Sequence, residues 1–235
     1  MGLSRPKKYI VYKLLKVQKT PLSSTLRKEK ALWNILSEQN LKSVVINWWA
    51  SWPAEKINGI IVSDPVFFTR DMAVGKINII PLQNQTYPPE LFEKILPIII
   101  PQEQIEYPEI SRYVDITPEE FAEWKKIEFT KFDIRSELPF IIAYEQTIKN
   151  ISLYILNNYP DFDLFASYLR GVDMISHSAM QYSTLINDPE VPQQEKNKYG
   201  RAVEEFYKNA DECLGELITY SPKNTIFIVL SDHGF

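Results

Sequence analysis

The carboxyl-terminal part of the chain carries an apolar strand, a helix and a second apolar strand in succession, and this order most constrains the fold. The run DLFASYL ends at Leu169 and breaks at Gly171, whereas the run NTIFIVL covers residues 224–230. The second run is β-branched and too hydrophobic for a sheet with one wet face. Between the runs, the apolar residues predict a helix from about Gln194 to Thr219, with one stripe formed by Val203, Phe206, Tyr207, Ala210, Cys213, Leu214 and Leu217. The arrangement predicts a right-handed parallel crossover inside an α/β sheet.

The amino-terminal part of the chain continues the same alternation. Ser24 and Thr25 are candidate caps for a helix over LRKEKALWNILSEQ, whose predicted buried face is formed by Leu32, Ile35 and Leu36. The runs SVVINWW and GIIVSD then predict two strands. Residues 1–82 are therefore predicted to form the first part of an α/β core.

A change of composition marks the middle of the chain. Prolines cluster in TYPPE, LPIIIP and EYPEI, and Thr117 precedes Pro118 with Glu120 at the third helical position, which is the pattern of a helix start. We interpret residues 83–135 as a cap or lid insertion with short helices. Residues 136–235, which include a helix predicted near Tyr144 to Asn157, return to the α/β core.

Composition and charge exclude several classes of protein. The 235 residues are 45% hydrophobic, enough for a substantial core, and the net charge of −4 provides no broad positive field for nucleic acid. The single cysteine, Cys213, excludes an intrachain disulfide framework and a cysteine-rich zinc site. The apolar stretches fall short of the about 20 residues that a membrane helix needs, and the basic amino terminus lacks the cleavage site of a signal peptide.

Both histidines of the chain stand beside a carboxylate, just after a predicted strand. Asp173 and His177 follow the first run at a spacing of four residues, and Asp232 and His233 follow the second run. In open α/β sheets, ligands collect beyond the carboxyl ends of the strands. Imidazole nitrogen and carboxylate oxygen are donors that zinc prefers where thiolate is lacking. From the residues alone, each pair is either a hydrogen-bonded pair or part of a metal site, and their repetition favours the metal site.

Five segments of the chain resemble the type I phosphodiesterase/nucleotide pyrophosphatase family of the alkaline phosphatase superfamily. The segment YLRGVDMISH is similar to the family's zinc-binding Asp and His segment, and SDHGF is similar to its Asp-His-Gly motif. The stretch WWASWPAEKINGIIVSD from Trp48 to Asp64 is similar to one in a bacterial and archaeal branch, as are ALWNILSE and YPPEL. The resemblance implies an alkaline-phosphatase-like, mostly parallel sheet flanked by helices.

The resemblance also implies a chemistry. Two zinc ions about 4 Å apart activate a threonine or serine hydroxyl and stabilise charge on a phosphate ester during in-line displacement. Asp173 and His177 would hold one zinc, and Asp232 and His233 would belong to the other. The implied partner is a small phosphate-ester substrate, either a monoester or a diester.

The chain departs from the family pattern at both ends. The family's nucleophile and a further aspartate ligand precede the ALWNIL-like helix, and Thr20, Ser23, Ser24 and Thr25 lack that context, so no nucleophile is assigned. The family's final histidine ligand lies beyond the Asp-His-Gly motif. We therefore expect a partial chain, truncated at both ends, that binds metal weakly and turns over little by itself.

Three alternatives accompany this interpretation. A non-catalytic binding fragment of the same fold would keep the sheet without the chemistry. A sulfatase or a phosphomutase would use the same scaffold, although the chain contains no Cys-x-Pro-x-Arg element of the sulfatase kind.

Trp48, Trp49 and Trp52 are either a stacking surface for a substrate ring or core beneath the cap. Asp64 is explained by a turn at the end of a strand.

Overall fold

The computed structural model of the chain describes residues 23–64, 69–71, 76–78, 83–186 and 188–234. Thr20, the basic amino-terminal segment and Phe235 lie outside these residues. The strands are β1 Ser43–Ile46, β2 Gly59–Val62, β3 Thr69–Asp71, β4 Lys76–Asn78, β5 Thr86–Tyr87 and β6 Leu164–Ser167. The α-helices are α1 Leu32–Glu38, α2 Leu91–Ile95, α3 Tyr107–Tyr113, α4 Pro118–Trp124, α5 Ile134–Asn158, α6 Gly171–Ala179, α7 Gln193–Tyr199 and α8 Ala202–Tyr220.

The central sheet has the strand order β5-β2-β1-β6. Strand β1 is parallel to β2 and to β6, so that Val45 lies beside Ile61 on one side and Ala166 on the other. Strand β5 is antiparallel to β2, and β3 and β4 form a separate antiparallel pair. The expected α/β fold with a mostly parallel sheet is confirmed.

Helices cover both faces of this sheet because successive strand residues point to opposite sides. On one face Val44, Ile46, Ile60 and Val62 form a cluster with buried residues of α2 and α5. On the other face Val45 and Ile61 pack with Trp33 of α1. The near-continuous apolar character of β1 and β2 follows from burial on both sides.

Helix α1 presents a different face from the one the sequence predicted. Trp33 is buried, whereas Leu32 and Ile35 are 56% and 47% exposed. The Trp33 side chain fills the space above β1 and β2, and its Nε1 donates a hydrogen bond to Glu55 at 2.7 Å. The helix is also shorter than predicted, because residues 24–26 form a separate 3-10 turn capped by Ser23.

Residues 83–135 contain β5 and helices α2, α3 and α4. The predicted helix start at Thr117 is confirmed: its hydroxyl accepts a hydrogen bond from Glu120 N at 3.2 Å, and its backbone N–H donates to the Glu120 carboxylate at 2.8 Å. Since β5 pairs with β2, this segment also contributes to the central sheet. The division into core and cap remains a prediction.

The two long helices differ from their predicted bounds. Helix α5 begins at Ile134 rather than near Tyr144, with Asp133 as its cap and Pro139 inside it. The helix predicted from Gln194 to Thr219 is divided into α7 and α8. Most of the predicted stripe on α8 is buried or partly buried, but Tyr207 is 54% exposed and lies outside it.

The second apolar run, residues 224–230, was predicted to be a strand and that prediction is wrong. The run forms no strand, and Ile226 and Leu230 are 87% and 82% exposed. A strand requires a backbone partner for its N–H and C=O groups, and among the described residues β6 is hydrogen-bonded only to β1. The predicted crossover to a parallel neighbour of β6 is therefore not formed.

Within the described residues, no helix combines the length and the apolar content required to cross a lipid bilayer.

Candidate metal site at the carboxyl edge of the sheet

Asp173 and His177 lie on α6, which begins shortly after β6 ends at Ser167. The spacing of four residues places both side chains on one face of the helix. His177 Nε2 is 3.6 Å from Asp173 Oδ1. The Asp173 side chain is 29% exposed and that of His177 is 50% exposed, so the pair is open to solvent.

His233 reaches the same carboxylate from the end of the chain. Its Nε2 lies 3.4 Å from Asp173 Oδ1, and the Ser231 hydroxyl donates to the His233 carbonyl at 2.5 Å. Asp232 is exposed in the same segment. The structure therefore brings both histidines of the chain close to Asp173, and Asp232 directly precedes His233 in sequence.

The donor set fits a metal ion in chemistry and in the separations of its atoms. Zinc binds nitrogen and oxygen at about 2.0–2.2 Å, so two ligands of a tetrahedral ion are separated by about 3.3 Å. The separation between Asp173 Oδ1 and His177 Nε2, the pair expected to hold one ion, is 3.6 Å. Among the described residues, however, no three His, Cys, Asp or Glu side chains form a complete metal-binding group. Two histidines therefore approach one carboxylate, but the described residues do not provide a complete set of ligands for an ion.

A second polar cluster lies at the same edge of the sheet, where β1 and β2 end. Arg170 donates to Asp64 Oδ1 at 3.1 Å, and the Tyr144 hydroxyl donates to the same atom at 3.3 Å. The Tyr144 hydroxyl also contacts Asn47, the residue after β1. Asp64 is 6% exposed. Burial raises the pKa of the Asp64 carboxyl, although the charge of Arg170 and the Tyr144 hydrogen bond oppose the shift.

The tryptophans after β1 border this cluster. Trp48 and Trp49 are 40% and 50% exposed. The Arg170 guanidinium lies over the Trp49 ring, 4.0 Å from its centroid, and Trp48 makes an edge contact with the buried ring of Trp33 at 6.3 Å. Each of these two tryptophans therefore has a packed side and an accessible side. Neither ring is entirely core beneath the cap or entirely a free stacking surface.

Sequence reasoning explained Asp64 by a turn and gave Arg170 no role. The positions contained a signal, because Asp64 follows β2 and Arg170 follows β6, as Asp173 does. The parallel pairing of β1 with both strands brings these ends to one edge. Residues directly after parallel strands merit equal attention whether or not a histidine stands beside them.

The candidate nucleophiles within the described residues have local structural roles. The Ser24 hydroxyl donates to the Pro53 carbonyl at 2.7 Å. The Ser23 hydroxyl accepts from Thr25 N at 3.3 Å and lies 3.0 Å from the Thr25 hydroxyl. These contacts make the three residues part of a turn, and the nucleophile stays unassigned.

Comparisons with curated proteins and with solved structures find no match. The model of one protein family, described as type I phosphodiesterase / nucleotide pyrophosphatase, matches residues 6–235. The match includes the Asp173 segment, the Asp232–His233 segment and the tryptophan-rich stretch between β1 and β2. With its mostly parallel sheet flanked by helices, the chain belongs to the type I phosphodiesterase/nucleotide pyrophosphatase family of phosphate-ester hydrolases.

Proposed function

We propose that the chain provides part of a two-zinc site that hydrolyses phosphate esters of the phosphodiester or pyrophosphate type. The observation that carries this proposal is the approach of His177 and His233 to one carboxylate oxygen of Asp173, at 3.6 and 3.4 Å. Two imidazoles and a carboxylate at a strand end are suited to zinc. Membership of a phosphodiesterase family supplies the reaction class.

Asp173 and His177 would hold one zinc, and Asp232 and His233 would hold the second. Metal-bound histidine is neutral and metal-bound aspartate is ionised, so binding requires the deprotonated form of each group. The contact between His233 and Asp173 supports two neighbouring ions, because it places one pair beside the other. When bound, the ions supply Lewis acidity that neutralises charge on the phosphoryl oxygens.

A phosphate ester can reach this site from solvent because the three contacting side chains are 29% to 50% exposed. The reaction would also need a threonine or serine nucleophile. No described residue is assigned this role. Metal binding and hydrolysis are therefore separate parts of the proposal. The alternative function is a chain that binds metal but does not hydrolyse the ester.

The test is a titration of the full chain with Co²⁺, whose absorption reports nitrogen and oxygen ligation, followed by competition with Zn²⁺. We expect saturable binding that is weakened at least tenfold by His177→Ala, Asp173→Ala or His233→Ala. Asp211→Asn is the matched control, since Asp211 is an exposed aspartate on α8. Equal binding in all four variants would refute the metal assignment.

Hydrolysis of bis(p-nitrophenyl) phosphate by the zinc-loaded chain tests the second part. Turnover that is lost in His177→Ala and Asp232→Ala and retained in Asp211→Asn supports the hydrolase. Zinc binding without turnover supports the non-catalytic form for this chain. Turnover that persists in His177→Ala and Asp232→Ala would show that the four residues are not the site.

A further inference from the structure

A polar cleft of about 380 Å³ lies between α3, α5 and α8. Its lining includes Glu145 and Asn150 from α5, Asn209 and Cys213 from α8, and Tyr113 from α3. None of these residues belongs to the candidate metal site. The cleft therefore requires an explanation of its own.

The basic side chains that line the cleft are already paired. Arg112 makes two hydrogen bonds of 2.8 Å to the Glu212 carboxylate, and Lys149 donates to Glu216 at 2.9 Å. The acidic side chain of Glu109 accepts only neutral amide hydrogen bonds among its described contacts, from Gln146 at 3.3 Å and from the Glu106 backbone N–H at 2.8 Å. The charge that these contacts leave uncompensated is negative, which favours a cationic ligand.

Glu145 is the feature that points to a ligand. Its side chain is 2% exposed. Oε2 accepts a hydrogen bond from Gly171 N at 3.0 Å, whereas Oε1 is buried and has no hydrogen-bond partner among the described residues. A buried carboxylate oxygen without a partner is costly, because the interior solvates the charge of the group poorly.

The Glu145 carboxyl is held in a fixed place. A Cβ atom added at Gly171 would lie 2.9 Å from Glu145 Cδ and 3.0 Å from the Phe206 ring, so the helix start and the carboxyl are closely packed. Burial raises the pKa of Glu145 to about 7, although the backbone N–H groups of Gly171 and Arg170 lower it. Above this pH, the cleft contains a preorganised anion.

We propose that this cleft is a binding site for a primary alkylammonium cation, whose charge is balanced by the Glu145 carboxylate. An ammonium group has three N–H donors, and Asn150 and Asn209, which also line the cleft, have side-chain oxygens that accept hydrogen bonds. The alkyl chain lies along Tyr113 and Cys213. A divalent metal would need several further carboxylate or imidazole ligands close to Glu145, and no three such side chains of the described residues come together there. The proposal is independent of the proposed hydrolase function.

The experiment measures binding of n-butylammonium to the full chain at pH 8 by isothermal titration calorimetry and ligand-observed NMR. We expect saturable binding at millimolar concentration. Tetramethylammonium carries the same charge without N–H donors, and butyrate carries the opposite charge, so neither should bind saturably. No saturable binding of n-butylammonium, or equal binding of tetramethylammonium, would overturn the proposal.

Two variants and one control locate the site. Glu145→Gln keeps the shape and the acceptor for Gly171 but removes the charge, and should weaken binding at least tenfold. Asn209→Lys places an ammonium group of the protein itself in the cleft and should abolish binding. Because this substitution is made on the surface of α8, away from the core, it tests the proposal even where Glu145→Gln fails to fold. Glu103→Gln removes an exposed charge outside the cleft and should leave binding unchanged. Binding unchanged by either cleft substitution would overturn the proposal.

Discussion

Nη1 of Arg170 lies 3.1 Å from Oδ1 of Asp64, and this contact joins the end of β2 to the residue that precedes α6. The two side chains are 19% and 7% exposed. Arg170 also stacks on Trp49, so one guanidinium links the loops that follow β1, β2 and β6. The helix that carries Asp173 and His177 thus begins at a fixed point of the sheet.

Breaking this pair should destabilise the fold. Arg170→Met keeps the aliphatic stem over Trp49 but leaves the Asp64 charge buried alone, and Asp64→Asn removes the charge but keeps the shape. Each should lower the free energy of unfolding by about 3 kcal/mol, the typical cost of removing one partner of a buried pair. The double variant should lose at least about 1 kcal/mol less than the sum, because the two residues are in contact.

Urea unfolding of the four proteins provides the measurement. Lys126→Met is the control, because it breaks an ion pair with Glu123 whose side chains are 69% and 70% exposed, and such pairs contribute little. Additive losses from Arg170→Met and Asp64→Asn would show that the contact carries no coupling.

Much of the sheet could be predicted from local pattern. The apolar runs that form β1, β2 and β6 are recognisable because strands buried on both faces lack polar alternation. The position of Asp173 and His177 after β6 followed from the same reasoning. The family resemblance is confirmed by the match to residues 6–235.

Other features depend on contacts that periodicity does not contain. The Asp64–Arg170 pair exists because β1 stands between β2 and β6, and strand order cannot be obtained from hydrophobic pattern. Helix α5 starts at Ile134, well before its predicted start near Tyr144, and it contains Pro139, although proline is normally excluded from helix interiors. Residues 224–230 have strand-like composition, but a strand also needs a partner.

The contact between His233 and Asp173 leads to a prediction about proteolysis. The chain before His233 is exposed, with Lys223 and residues 226–230 accessible to solvent. If zinc ties His233 to α6, then zinc should slow tryptic cleavage after Lys223, because binding restrains the segment that the protease must unfold. Peptide mapping by mass spectrometry with zinc and with EDTA measures this rate.

Zinc protection after Lys223 should be lost in His233→Ala and in Asp173→Ala. Cleavage after Lys126, whose side chain is 69% exposed and distant in sequence from the site, should proceed at the same rate with and without zinc. Protection that persists in both variants would show that zinc acts elsewhere on the chain.

Glu145 should make stability depend on pH. Burial raises its pKa from 4.5 to about 7 in the folded protein. Between these values the folded state binds more protons than the unfolded state, so the free energy of unfolding falls as pH rises through this window. The contribution is fully present below about pH 4.5 and is lost above about pH 7.

Glu145→Gln isolates this effect because the amide does not titrate. The variant should have similar stability to the parent protein at pH 5, and should be more stable by about 3 kcal/mol at pH 8. Denaturant unfolding at half-unit pH intervals measures the difference, with Glu103→Gln as the exposed control. A constant difference between the two proteins from pH 5 to 8 would contradict the raised pKa.

The exposed run at residues 224–230 should cause self-association of this chain. Ile228 and Val229 are 75% and 73% exposed, and contiguous exposed apolar surface is a site of association. Among the described residues, strand β6 also has an edge without a pairing strand, and such an edge can accept one from another molecule. Ile228→Lys should therefore reduce association, because a charged side chain disfavours pairing at that position.

Static light scattering over a range of protein concentrations measures this effect. Ile228→Leu is the matched control, since it keeps volume and polarity and should associate as the parent protein does. The free energy of unfolding should change little in either variant, because the Ile228 side chain is largely exposed in the folded chain. If Ile228→Lys associates as strongly as Ile228→Leu, the run is not the contact surface. If instead Ile228→Lys unfolds at markedly lower denaturant, the run packs against the fold more closely than its exposure indicates.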